Sequence, residues 1–106
     1  MRVELHPDAL GDLRAAALWY DERQTGLGDR FVEHLAELFD RLAMAPAASP
    51  VWPGTAGSPT PIRRAVAEQF PYVVAFEAHD DHVLILAVAH GKRRPLYWLA
   101  RAGEPG

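Results

Sequence analysis

Two hydrophobic rhythms run along the chain, and the change from one to the other divides it. Early on, apolar residues recur every three or four positions. Leu10, Leu13, Ala17 and Tyr20 follow this spacing, Ala16 widens the stripe, and the pattern predicts an amphipathic helix. His6-Pro7-Asp8 reads as its start, since Pro7 suits the first helical position and Asp8 the positive end of the dipole. Val3 to Leu5, just ahead, is a candidate short strand. The helical pattern stops at Gln24-Thr25-Gly26, and Gly26-Leu27-Gly28 predicts a tight connection. A second helix then carries Phe31, Leu35, Leu38, Phe39 and Leu42 on one face, with Glu33, Glu37, Asp40 and Arg41 opposite. An antiparallel helical hairpin of about four turns per helix is expected.

Residues 46–61 break the rhythm. Five prolines fall in this stretch with Gly54 and Gly57, so no helix can run through it. A loop of this length in a compact domain is usually functional or mobile. Trp52 in its middle is expected to pin it to the body, with an exposed partner contact as the alternative. Beyond it the period falls to two. Ile62 to Glu68 is a candidate strand, and Gln69-Phe70-Pro71 turns the chain. Tyr72 to Ala78 alternates in side-chain character. After the polar His79-Asp80-Asp81-His82, the run Val83 to Ala89 reads as a strand buried on both faces. The expected architecture is α+β, one domain over residues 1–106, with the helical hairpin on one face of a small, mainly antiparallel sheet.

Charge sharpens this picture. The formal net charge is −3, yet it is unevenly placed. Residues 1–61 carry five Arg against nine Asp and Glu, whereas residues 62–106 carry six Lys and Arg against five acids. Arg63-Arg64 and Lys92-Arg93-Arg94 form two clusters, with Arg101 beyond. Such segregation can present a basic face on a slightly acidic chain, or it can merely solvate strand edges. Cysteine is absent, which removes thiol catalysis, disulfides and thiolate metal sites. No stretch is long and apolar enough for a membrane span, and the N-terminus lacks a signal-peptide core, so a cytoplasmic protein is expected.

The segment after the buried strand carries the most chemistry. His90-Gly91-Lys92-Arg93-Arg94 places cations at one edge of the fold, and Tyr97-Trp98 follow. Arginines there can hold phosphate in bidentate fashion, Tyr97 can exchange a proton or stack, and His90 is placed for general acid–base work. Trp98 reads more readily as core than as ligand contact. His79-Asp80-Asp81-His82 reads as turn chemistry rather than a metal site, and His6 and His34 as surface residues. No phosphate-cradling loop, dinucleotide fingerprint or nucleophile elbow is present. Any catalysis is therefore expected to use Arg, His and Tyr, without cofactor or metal.

Several segments in order resemble the RelE/ParE superfamily of bacterial toxins. They are His6-Pro7-Asp8-Ala9, Ala15-Ala16-Ala17-Leu18-Trp19-Tyr20, Gly26-Leu27-Gly28-Asp29-Arg30-Phe31, Ile62-Arg63-Arg64-Ala65, Phe70-Pro71-Tyr72 and Val88-Ala89-His90-Gly91-Lys92-Arg93-Arg94-Pro95 before Tyr97-Trp98. The resemblance implies two helices on an antiparallel sheet and a cognate antitoxin protein that masks the toxin. It implies one of two targets: messenger RNA on the ribosome, cut without a metal, or DNA gyrase, inhibited without catalysis. A toxin-like binding module of low potency is a third option. For cleavage, Arg93 and Tyr97 match the family's basic segment and trailing tyrosine, Arg64 or Arg63 the cations of the earlier strand, and His90 would assist. Lys92, Arg94, Arg63 and Trp98 would contact RNA or a protein target. Leu18 and Trp19 are candidates for the antitoxin interface, with core packing the open alternative. Where such ribonucleases commonly place an Arg after the aromatic residue opening the middle strand, Tyr72 is followed here by Val73. The catalytic reading requires Arg64, the triple cation and Tyr97 to share one electropositive pocket.

Overall fold

A computed structural model describes residues 1–94 and 96–103. The order of elements is β1 (Arg2–Leu5), α1 (Pro7–Arg23), α2 (Leu27–Met44), β2 (Ile62–Val66), β3 (Tyr72–Ala78) and β4 (His82–His90). The strands form one sheet in the order β1-β4-β3-β2. The pairs β2–β3 and β3–β4 are antiparallel, while β1 runs parallel to β4. The expected α+β architecture is present, with the parallel edge strand as its unforeseen feature.

Local chemistry explains the helical boundaries. His6 Nδ1 accepts a hydrogen bond from the Asp8 N–H at 3.1 Å, capping the start of α1 beside Pro7. His6 is therefore buried rather than on the surface. Gly26 takes φ = 88°, which a residue with a Cβ adopts reluctantly, and the chain reverses there. Gly28 N–H then donates to Asp21 Oδ1 at 2.8 Å, joining the end of α1 to the start of α2.

The sheet is covered on both faces. Towards the helices, Tyr20, Phe31, Leu35, Val74, Phe76, Ile85 and Val88 form one core. Tyr20, Phe31, Phe70 and Tyr72 meet there in edge-on and tilted contacts about 5–6 Å apart. On the far face Ile62, Ala75, Leu84, Leu86, Ala87, Ala89 and Trp98 form a second core. The proline-rich segment and the C-terminal residues cover it, and Trp52 packs edge-on against Trp98 with centroids 4.9 Å apart. Trp52 thus pins its loop. Every residue from Val83 to Ala89 is buried, in keeping with the unbroken apolar run.

The same loop guards the free edge of β2. Trp52 N–H donates to the Ile62 carbonyl at 2.7 Å and Arg64 N–H to the Pro50 carbonyl at 3.0 Å. Covering the edge in this way removes a template for strand addition.

A β-bulge sets the chemistry that follows. Pairing passes from Ala75↔Ala87 to Phe76↔Ile85, leaving Leu86 as an extra residue. Leu86 and Ala87 consequently both face the second core, and the alternation changes phase. Val88 returns to the helix side, and His90, two residues on, meets Tyr72 there with ring centroids 5.2 Å apart.

The Gly28 crossing tolerates no side chain. A Cβ there would collide with the Ala17 carbonyl and come within 2.8 Å of the Asp21 carboxyl carbon. Gly28→Ala should cost about 1–3 kcal/mol, lowering the thermal midpoint by roughly 4–8 °C per kcal/mol, read by thermal denaturation. An unchanged midpoint would show that the helices separate freely.

Candidate functional site

The C-terminal end of β4 separates two hollows. The first, of about 290 Å³, lies between α1 and the sheet and is lined by Gly11, Asp12, Ala15, Trp19, Tyr72 and Tyr97, with His90 and Arg93 at its rim. The second, of about 260 Å³, lies on the other face, among Trp52, Arg64, Arg94, Leu96 and Trp98, and shares His90 and Arg93. The chain crosses from one to the other after Leu96, whose φ of 60° is unusual for a branched side chain. Tyr97 lines the first hollow while also packing against the second core, in which Trp98 is buried.

Asp12 anchors the first hollow. β1 pairs with β4 only as far as Leu5↔Ile85, so the β1-side edge of β4 beyond Ile85 has no strand beside it. Asp12 Oδ2 accepts from the Val88 N–H at 3.1 Å, and Arg101 Nη1 donates to the Leu86 carbonyl at 3.0 Å. The two side chains also bind each other, Arg101 Nη1 to Asp12 Oδ2 at 2.8 Å and Nη2 to Oδ1 at 3.4 Å. Burial works against the Arg101 charge, but the Asp12 hydrogen bond and charge outweigh it and hold the guanidinium above its usual range.

Tyr97 belongs to this network. Its hydroxyl donates to Asp12 Oδ2 at a long 3.5 Å, and Arg93 and Arg101 lie over its ring at 4.1 and 5.4 Å. Burial raises the phenol pKa first, the Asp12 carboxylate raises it further, and the two guanidiniums offset only part. A phenol held this way stays protonated at neutral pH and makes a poor base. His90 Nδ1 accepts the Lys92 N–H at 3.0 Å, which places the proton of the neutral ring on Nε2. In this arrangement the His90 Nδ1 lone pair is already engaged, and the protonated Tyr97 oxygen can accept a hydrogen bond but is a weak base.

The expected single electropositive pocket is therefore divided. Arg64, Arg93 and Arg94 line the second hollow, but Tyr97 stands in the first beside a carboxylate. Among the described residues Arg64, Lys92, Arg93 and Arg94 form no ion pair, and no carboxylate lines the second hollow. Arg63 points the other way, donating to the Ser49 carbonyl at 2.7 Å, and acts in the fold rather than at the basic face. Trp98 is 1% exposed, so it is core and cannot serve as a partner contact. Leu18 and Trp19 are exposed, and core packing is excluded for both.

At the far end of the sheet the rings of His79 and His82 stack 4.7 Å apart. His79 Nε2 lies 3.0 Å from Glu77 Oε1 and His82 Nδ1 2.7 Å from Asp81 Oδ1, and the bond from His82 holds the Asp81 carboxyl below its usual range. Among the described residues no three His, Asp or Glu side chains converge as a metal site. No helix among them is long and apolar enough to cross a membrane.

Sequence reasoning passed over Asp12, Tyr72 and the structural part of Arg101. Asp12 carried a signal, since it stands one turn before Ala16 on the border of the apolar stripe of α1.

A sequence model described as "ParE toxin of type II toxin-antitoxin system, parDE" matches residues 3–95. A solved structure described as the chromosomal ParDE TA system from P. aeruginosa superposes with a TM-score of 0.70 at 18% identity, covering 85% of this chain and 95% of that one. No curated protein matches.

Two measurements test the network. Asp12→Ala leaves Arg101 and the Val88 N–H without their shared acceptor and should cost about 2–4 kcal/mol in chemical denaturation. A change below about 0.5 kcal/mol would mean that water replaces the carboxylate. Tyr20, Tyr72 and Tyr97 all have pKa values raised above 10.0, each chiefly by burial. Their folded values exceed the unfolded ones, so this stabilisation is intact below pH 10 and is lost as the pH rises through the folded values. Phenolate absorbance should appear only above about pH 10 in the native protein. A tyrosine ionising near pH 8 would restore Tyr97 as a base.

Proposed function

The chain belongs to the ParE toxin family of type II toxin–antitoxin systems, and on that premise we propose that it inhibits DNA gyrase by binding, through the cations around the second hollow, and is neutralised by a protein antitoxin. The observation that carries this reading is the separation of Tyr97 from Arg64. Cleavage through a neighbouring 2′-hydroxyl needs a base within hydrogen-bond reach and cations around the same phosphate. Here the phenol is bound to Asp12, and Arg64 and Arg94 line the other hollow, with only Arg93 shared between the two.

Binding makes smaller demands. Arg64, Arg93 and Arg94 line an opening together with the apolar side chains of Val73, Ala89 and Leu96. Cations around a partly dry surface suit an acidic protein or a protein–nucleic acid complex, where charge-assisted bonds contribute about 1.5–3 kcal/mol each. Neither a metal nor a cofactor enters this reading, and the site of action is the cytoplasm. Messenger RNA cleavage on the ribosome is the second reading, supported by the contact of Arg93 with the Tyr97 ring.

The test compares purified gyrase with translating ribosomes. The parent toxin should inhibit supercoiling and accumulate double-strand breaks while transcripts stay whole. Arg64→Glu with Arg94→Glu should weaken inhibition at least tenfold with the fold intact, whereas Tyr97→Phe should change it less than threefold. Codon-phased transcript cuts that Tyr97→Phe abolishes, with gyrase unaffected, would replace this reading by the nuclease.

A further inference from the structure

The far face of the sheet stays partly uncovered beside the turn from β2 to β3. Val66 pairs with Val73 and Val73 with Ala89, so the three stand in one row across the strands. Ile62, Ala75 and Ala89 belong to the second core, and alternation puts Arg64, Val66 and Val73 on that same face. Val66 is 54% exposed, and Val73 and Ala89 line the second hollow with Trp52 and Leu96. Short apolar side chains in a row across a sheet present a flat surface, which suits a flat ring.

The cations beside this row are gathered rather than strung out. Arg64, Arg93 and Arg94 line one hollow of about 260 Å³, and none has an ion pair among the described residues. No track of free cations leads away from it: Arg63 donates to the Ser49 carbonyl, and Arg101 is bound to Asp12. Arg14, Arg23, Arg30 and Arg41 belong to the helices on the opposite side of the sheet, and Arg2 pairs with Glu4. A nucleic-acid strand spaces single charges along its length and is followed by cations along its path. A protein carboxylate brings one charge and would leave two guanidiniums unmatched. A polyphosphate brings several charges to one place, and guanidinium forks match its oxygens bidentately.

We propose that the second hollow binds a free nucleoside di- or triphosphate, its phosphates among Arg64, Arg93 and Arg94 and its base against the apolar row. The hollow lies at the small end of ligand pockets, about 300–1,000 Å³, so it takes the base while the phosphates meet the guanidiniums at its rim. Val73, Ala89 and Leu96 offer the base no side-chain hydrogen bond. The site therefore reads the number of phosphates rather than the identity of the base. The same guanidiniums are assigned to the target above, so a bound nucleotide competes with gyrase. That consequence alone rests on the gyrase reading; the binding does not.

Calorimetry on the full toxin with ADP, GDP, AMP, pyrophosphate and a short single-stranded DNA tests this. ADP and GDP should bind within threefold of each other, and AMP and pyrophosphate at least tenfold more weakly than ADP. Arg64→Gln and Arg94→Gln, both at exposed positions, should each weaken ADP at least tenfold and keep the parent's thermal midpoint. Arg30→Gln, exposed on α2, should keep the parent's affinity. Absence of ADP binding would overturn the proposal, and so would equal affinity for ADP and pyrophosphate, which would leave the base without a place. A single strand bound at least tenfold tighter than ADP would overturn it by assigning the hollow to nucleic acid. A polyglutamate peptide bound tighter than ADP would overturn it by assigning the hollow to an acidic protein. These affinities are measured on the toxin alone, so they stand or fall apart from the supercoiling assay.

Discussion

Asp12 holds the architecture together at the point where the sheet runs out of strands. β1 leaves the sheet after Leu5 to begin α1, so β4 continues beyond Ile85 with one neighbour instead of two. An edge buried beneath a helix without partners would cost about 1–3 kcal/mol for each unsatisfied group. A carboxylate from α1 and a guanidinium from the C-terminal segment take the place of the missing strand. Residues 89 positions apart close on each other there, and the N-terminal helix, the longest strand and the tail become one packed unit.

Separation of the chemistry follows from that closure. Arg101 reaches Asp12 as the tail crosses the end of β4, and the crossing leaves Tyr97 lining the first hollow and Trp98 buried in the far core. A carboxylate then stands beside the tyrosine, where it raises the phenol pKa after burial has already done so. Among the described residues no acid lines the hollow that these cations border. One stabilising pair thus decides which groups stand together.

Much of the fold is legible from periodicity. The helix stripes, the proline-rich break and the unbroken apolar run of β4 each follow from short-range pattern, and Trp52 pins its loop as an isolated aromatic in such a segment should. Less legible is what depends on partners distant in sequence. The parallel pairing of β1 requires knowing where α2 returns the chain. The bulge at Leu86 is invisible in a run where every residue is apolar, yet it turns His90 towards Tyr72. Arg63 and Arg64 look equivalent as neighbours, but strand alternation sends them to opposite faces, one to loop carbonyls and one to the basic hollow. The expectation of one pocket failed for the same reason. Spacing along the chain does not reveal on which side of a strand the chain crosses.

Arg93 is the element common to both hollows, and its position has an energetic consequence. The guanidinium lies over the Tyr97 ring and borders each cavity, with no carboxylate fixing it to either. A ligand carboxylate in the first hollow would compete for this side chain with an anionic ligand of the far face. The second hollow then loses one of its charge-assisted contacts, about 1.5–3 kcal/mol, or roughly a ten- to hundredfold change in affinity for an anionic surface. Linkage makes the effect reciprocal, so a target bound on the far face weakens a ligand of the first hollow by the same factor.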